Sequence, residues 1–347
     1  MFETLGFQSL TAPQVAVGFG VGLGLLFGLL AERTAFCFRR ALVGEDAPQA
    51  RGVWLAGFAA ALLGTQAAVA LGWISFGDHR FYAQALPVAA ILAGGLMFGA
   101  GMVLTRGCIS RLTVLTGSGN LRALTVVLVF AVTAHATLKG LLAPLRTTLG
   151  GVTLDLGTLT GFAALPGGAL VWTALLAAGA LVLALRSGAR PTLLAQAAAL
   201  GLLVPLGWVG TGLVLQDEFD PIAVESLAFT SSMADSLFWA IAGTAVPANF
   251  GAGLVGGVLL GALGSALASR RFQWQSFSSP RETGRYLAGA VLMGAGGVLA
   301  GGCTVGAGLS GTATLSFAAF LALAAIAAGG LGMAALLQIR PALQPAE

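Results

Sequence analysis

Three cysteines are the residues best suited to meeting a soft, polarizable ligand: Cys37 in AFCFRR, Cys108 in TRGCISR and Cys303 in GGCTVG. No CxxC pair exists, and His79 and His135 lie far from them in sequence. A structural zinc site needs four ligands at closer spacing, so no metal is expected. An odd count argues against a disulfide framework. Taken singly, a cysteine in an apolar helix is a small hydrophobe. Three features favour a functional reading: the rarity of cysteine in this chain, the glycine or arginine beside each one, and its place at the end of an apolar run. Arg106 and Arg111 flank Cys108. An arginine at membrane depth costs ~2.5–3.5 kcal/mol on insertion scales. Two readings therefore stand: an anion site beside Cys108, or guanidinium groups snorkelling to the surface. Arg33, Arg39 and Arg40 near Cys37 fit charge placement at a membrane face. Gly107 and Gly302 precede Cys108 and Cys303, and Thr304 follows Cys303, in Gly-rich stretches (Gly301, Gly306, Gly308, Gly311; Gly117, Gly119). Non-helical backbone cannot face lipid, so such turns must line a cavity or be sealed by protein. Their free N–H groups, and the positive end of a helix starting after them, attract anions. Glycines inside the apolar runs, such as Gly94, Gly99 and Gly101, instead suit close helix packing.

These residues must be positioned by helices in lipid. Of 347 residues, 57% are hydrophobic and 9% charged, with mean hydropathy +0.92. A soluble domain runs near 25% charged, so a soluble enzyme, a disordered chain and a nucleic-acid binder are excluded. The net charge is +4 with no basic block, and no nucleic-acid partner is expected. Apolar runs predict nine transmembrane helices near 13–35, 52–75, 86–105, 121–143, 166–186, 192–215, 247–268, 285–300 and 312–337. The third and eighth end in glycine-rich turns and read as broken helices. The fold class is an all-α polytopic membrane protein, a single transmembrane domain over 1–347, with the bilayer as its solvent. The first ten residues lack the basic region of a signal peptide. Nine spans put the termini on opposite sides. The C-terminal side then collects Arg39, Arg40, Arg51, Arg186, Arg190, Arg270, Arg271, Arg281, Arg285 and Arg340. The N-terminal side holds Arg80, Lys139 and Arg146, with an acidic run of Asp217, Glu218, Asp220, Glu225 and Asp235. This bias predicts a periplasmic N-terminus and a cytoplasmic C-terminus. Trp54, Trp73, Tyr82, Trp208 and Tyr286 fall near span ends and read as interfacial anchors.

Residues 92–108, LAGGLMFGAGMVLTRGC, match 287–303, LAGAVLMGAGGVLAGGC, at ten of seventeen positions, ending in the same Gly-Cys. The flanking spans extend this to two units, about 13–143 and 192–337, separated by the span near 166–186. One intervening span flips the second unit. The expected architecture is two inverted repeats about a pseudo-two-fold axis in the membrane plane, with a substrate site near midplane. A duplicated bundle without a pathway is the alternative.

The segments AERTAFCFRRAL, GLMFGAGMVLTRGCISRL followed by TGSGNLRAL, and GAVLMGAGGVLAGGCTVGAGLSG resemble the YeeE/YedE family of bacterial inner-membrane proteins. The resemblance covers nearly the whole chain. It implies an hourglass-shaped bundle with inverted halves and short intramembrane half-helices. It also implies uptake of thiosulfate or a related sulfur anion along a path where Cys37, Cys108 and Cys303 meet the substrate. The chain departs from the family at Arg106, where many members carry glycine, and at Arg111. No fused sulfur-carrier domain is expected after the last span, and a sulfur-accepting partner is expected to be a separate cytoplasmic protein.

The expected activity is transport, not enzymatic, with no cofactor. Thiosulfate is a dianion with one soft terminal sulfur. A path must bind it well enough to enter and weakly enough to leave. A thiol is a weak S–H donor that meets such an anion without trapping it, whereas a thiolate repels it. A neighbouring arginine favours the thiolate, and apolar burial the thiol. The alternatives are transport of a selenium compound or other small anion, a membrane thiol-disulfide oxidoreductase relaying a bond between lone cysteines, and a scaffold subunit without transport. No Walker motif is present, and Glu32 and Asp155 lie at span edges, so neither ATP nor a carboxylate proton relay is implied.

Overall fold

The computed structural model describes residues 10–217 and 220–339. Glu218 and Arg340, used above to assign the faces, and the start of the N-terminal segment lie outside the described residues. Thirteen helices account for nearly all the regular structure among them. They are α1 (Ala12–Thr34), α2 (Phe38–Val43), α3 (Ala47–Ala70), α4 (Val88–Leu104), α5 (Ile109–Gly117), α6 (Leu121–Lys139), α7 (Ala143–Gly150), α8 (Gly168–Leu185), α9 (Pro191–Val209), α10 (Thr230–Ala242), α11 (Phe250–Ala268), α12 (Pro280–Leu299) and α13 (Phe317–Ile339). Two-residue strands, Ala85–Leu86 and Leu154–Asp155, pair antiparallel. Among the described residues, eight spans are long and apolar enough to cross a membrane. The ninth expected span is α12, whose first turns carry Arg281, Glu282 and Arg285 and whose remainder packs between α4 and α6. The protein is an all-α polytopic membrane protein.

Helix ends follow local chemistry. Asn120 and Asn249 cap α6 and α11, their side chains accepting from Ala123 N (3.0 Å) and Ala252 N (2.9 Å). Prolines open α1, α3, α7, α9 and α12, where the missing N–H costs nothing. Pro205 lies inside α9, which continues as a π-helical turn over Gly210–Val214.

Packing relies on small residues. The backbones of α1 and α11 meet along their length: a Cβ added to Gly24 would fall on the Leu254 carbonyl, and one on Gly257 on that of Val21. In lipid there is little hydrophobic drive between helices, so such close approach supplies the van der Waals energy. Gly94, Gly99 and Gly101 do the same for α4 against α12 and α13, as expected of glycines within spans. The packing pairs form a pattern: α1 lies on α11 and α3 on α9, α4 on α13 and α6 on α12, and α4 and α12 pack on each other.

The connecting segments gather at two faces. At one, Asn120 bridges Gln275. At the other, the strand pair lies with a bridge between Gly161 and Ser316. Three of the five aromatic residues expected at the interface are core residues instead: Trp54, Trp208 and Tyr286 are all buried. Trp54 packs between Phe38 (5.0 Å) and Phe58 (5.7 Å). A span end marks depth along the helix but not direction around it, and these rings point inward.

Candidate functional site

Each cysteine sits where a helix has just broken. After α1, Ala35 takes a left-handed conformation (φ 49°) and Cys37 follows in extended backbone as the N-cap of α2. After α4, Arg106 is left-handed (φ 59°), Gly107 N donates to Met102 O (3.0 Å), and Cys108 is the N-cap of α5. After α12, Gly301 is left-handed (φ 76°), and Gly302 precedes Cys303. The turns after α4 and α12 share two bonds: Thr105 N and Ala300 N donate to Gly101 O and Gly296 O (3.0 and 2.8 Å). Arg106 N and Gly301 N donate to Val103 O and Val298 O (3.2 and 3.1 Å). A Cβ on Gly302 would lie 2.8 Å from Ala307 N, where the chain doubles back into the π-helical turn Gly306–Gly311.

These turns converge. The thiols of Cys37 and Cys108 lie side by side, and Cys108 also neighbours Thr304. Cys303 is the next thiol beyond, within electrostatic reach of Cys108. All three cysteines are free and buried. Their immediate partners are neutral donors: Ser110 Oγ is 3.3 Å from Cys108 Sγ, and Gly306 N donates to Cys303 Sγ (3.3 Å). The hydroxyls of Thr304 and Thr230 are buried without a well-formed hydrogen bond. Buried hydroxyls are rarely left so, and these two flank Cys303 in the chain fold.

The two arginines beside Cys108 separate. Arg111 turns inward: its Nη1 donates to Ala31 O (3.2 Å) and its guanidinium faces Cys37, Cys108 and Glu32. Arg106 points out to a surface pocket it shares with Arg122, Arg281 and Arg285. Glu32, read from sequence as a span-edge residue, is buried and accepts from Ser265 Oγ (2.8 Å) and Arg271 (3.2 Å).

One residue counted in the sequence only toward the face assignment belongs to the site. Arg80 borders a recess of about 440 Å³ lined also by Ser75, Asp78, His79, Trp208 and Glu225. It borders as well a cleft of about 30 Å³ that ends on Gly301, Gly302 and Cys303, and a side groove of about 300 Å³. Its guanidinium reaches solvent through these spaces and has no hydrogen bond or ion pair among the described residues; its one ring contact is Phe81 at 5.2 Å. The loop is tied in place. Ser316 Oγ donates to Phe81 O (2.6 Å), Tyr82 Oη donates to Thr314 O, and Phe81 N donates to His79 Nδ1 (3.3 Å). Enclosure, with Arg80 beside it, lowers the His79 pKa to about 4, so the imidazole is neutral near pH 7. Enclosure also raises the Glu225 carboxyl above its ordinary value; Asp235 adds to the rise and Arg80 opposes it. The sequence signal was a lone arginine in SFGDHRFY, on the face that collects the carboxylates.

The sulphur transport family matches residues 33–332, and the chain belongs to that family. The thiosulfate transporter TsuA of Escherichia coli (strain K12) is 32% identical over 148 residues, 42% of this chain and 39% of TsuA. The protein named Probable transporter YedE, of the same organism, is 36% identical over 114 residues, 31% of this chain and 26% of YedE. The chain thus spans less than half the length of either relative in these matches.

Proposed function

We propose that this chain carries thiosulfate, or a closely related sulfur anion, across the bacterial inner membrane. The observation that carries the reading is the convergence of Cys37, Cys108 and Cys303 from three separate helix breaks, with Cys303 at the end of a cleft bordered by Arg80. Arg80 attracts the dianion into the recess. Gly302, Cys303 and Thr304 receive it, Cys108 passes it past Gly107 to Cys37, and Arg111 draws it toward the far side. Thiols suit the middle of this path because their weak S–H bonds meet a soft sulfur without holding it. The packing pattern supports the inverted-repeat reading, since exchanging α1 with α9, α3 with α11, α4 with α12 and α6 with α13 leaves the helix pairs unchanged. The arginine excess assigns the Arg80 face to the periplasm, along with the N-terminus. A separate cytoplasmic sulfur carrier would accept the anion at the opposite face.

The test is initial-rate uptake of labelled thiosulfate by purified protein in proteoliposomes. Cys108→Ala and Cys303→Ala are expected to abolish uptake while keeping the wild-type size-exclusion profile. Wild-type rates in both would refute the pathway. Competition with selenium compounds, sulfite and sulfide separates thiosulfate from other small anions.

A further inference from the structure

The pocket into which Arg106 points lies between the starts of α6 and α12, and it has about 460 Å³ of space. Four arginines border it, Arg106, Arg122, Arg281 and Arg285, against one carboxylate, Glu282. Glu282 is already engaged: it accepts from Arg122 Nη1 (3.1 Å), Ser278 N (3.0 Å) and Ser278 Oγ (2.8 Å). Among the described residues Arg106, Arg281 and Arg285 have no ion pair, and the Nε atoms of Arg122 and Arg285 are enclosed without a partner. Like charges gathered this way repel unless an anion joins them. Arg106 adds a second sign. It is left-handed at φ 59°, where the equivalent turn uses Gly301 at φ 76°. A left-handed non-glycine residue costs roughly 1–2 kcal/mol that glycine would not, and strain of this kind persists where the side chain has a task.

Apolar surface leads away from the pocket into the span. Further along α12, Leu287 and Val291 are exposed; further along α6, Leu124, Leu128 and Val132 are exposed. The two helices pack together, and each carries apolar surface from its arginine end toward midplane. A basic pocket at the end of helices with lipid-facing apolar surface has the chemistry that an anionic lipid needs. We infer that this pocket binds the phosphate of an anionic phospholipid, with acyl chains lying along α6 and α12. Basic pockets between transmembrane helices favour such headgroups, and each arginine near the surface adds affinity. The inference rests on the membrane placement of the helices and not on what the protein transports.

Native mass spectrometry of full-length protein released from nanodiscs of mixed phosphatidylglycerol and phosphatidylethanolamine reads the site. Wild type is expected to retain phosphatidylglycerol preferentially, and Arg281→Gln with Arg285→Gln to lose about fivefold in retention for each arginine removed. Equal retention by that variant, or no preference over phosphatidylethanolamine in wild type, overturns the inference. Arg106→Gly keeps the result decisive if the double variant does not fold. It relieves strain and removes a guanidinium, so it is expected to melt higher in lipid-free detergent yet hold less phosphatidylglycerol. Undiminished phosphatidylglycerol retention in Arg106→Gly counts against the inference. Melting shifts from added lipid and from inorganic phosphate identify the source. Stabilisation by phosphate as large as by phosphatidylglycerol would assign the pocket to a small oxyanion and overturn the lipid reading.

Discussion

Replacing Arg80 with glutamine removes the one charge common to the three outer cavities while leaving a side chain of similar reach. The recess of about 440 Å³ has the volume of a sphere about 5 Å in radius, so an anion inside it rests about 6 Å from the guanidinium. At that distance a dianion and a single positive charge attract by about 1.4 kcal/mol in bulk water and about 5.5 kcal/mol at an effective dielectric constant of 20. The lower figure applies to a wide, wet opening, and it already corresponds to about tenfold in affinity. Salt screens little across 6 Å, because the Debye length at 0.1 M is about 10 Å. Arg80→Gln is therefore expected to raise the KM for thiosulfate uptake at least about tenfold, with a smaller change in maximal rate, because the thiols beyond Cys303 are untouched. Arg80→Lys should recover part of the loss. Raising salt toward 1 M should weaken capture by wild type more than by the glutamine variant, narrowing the gap between them. The assay is initial uptake rate against thiosulfate concentration in proteoliposomes. An unchanged KM in Arg80→Gln, or a loss confined to the maximal rate, would refute the assignment of Arg80 to anion capture.

Glu225 should act with the opposite sign. Its carboxyl titrates above the ordinary value, so lowering pH through that raised value neutralises it and lowers KM, whereas Glu225→Gln should keep the low KM throughout; Arg80 stays charged, Asp78 shares the wall, Asp235 lies within electrostatic reach of Glu225, and His79 stays neutral down to about pH 4. His79 itself binds fewer protons folded than unfolded between pH 6.5 and about 4, so stability should fall as pH drops across that window, and His79→Phe should blunt the fall in thermal melts. Gly257→Ala places a methyl group on the Val21 carbonyl and should cost about 1–3 kcal/mol, seen as a lower melting temperature in detergent. Cys303→Ser keeps a donor but loses sulfur's polarizability; full activity in that variant would show that hydrogen bonding alone suffices on the path.

The helices were legible because a membrane forces them to announce themselves as long apolar runs, and the broken ones because glycine clusters in lipid need protein around them. The turns ending at Cys108 and Cys303 were legible as a pair through shared sequence. What sequence could not supply was direction. Arg106 and Arg111 are equally close to Cys108 along the chain, yet one sits on a left-handed turn facing solvent and the other on the first turn of α5 facing α1. Trp54, Trp208 and Tyr286 occupy span ends but point into the core. Arg80 as a site residue was invisible for a different reason. Its loop is shaped by bonds to Thr314 and Ser316, more than 200 residues away, and no local pattern encodes that folding back.

The distribution of charge along the proposed path explains why cysteine suits its middle. An anion crossing a low-dielectric waist needs partners, but a fixed cation there would hold it as a buried ion pair, and leaving would then cost the full attraction. The guanidinium groups border the path at its two ends: Arg80 at the recess, and Arg111 beside the Cys37 and Cys108 pair, anchored by the Ala31 carbonyl. Between them lie neutral donors, namely three thiols, the unpartnered hydroxyls of Thr230 and Thr304, and the backbone N–H groups freed by the glycine turns. Each is a weak partner, and several lie close enough for an anion to make a new contact before breaking the last. A charge at each end to attract the ion, and exchangeable dipoles between, meet the opposing demands of entry and release. By this logic, moving a positive charge to the waist, as in Thr304→Lys, should tighten thiosulfate binding while slowing its passage, and a variant that did both faster and tighter would show that the waist does not limit transport.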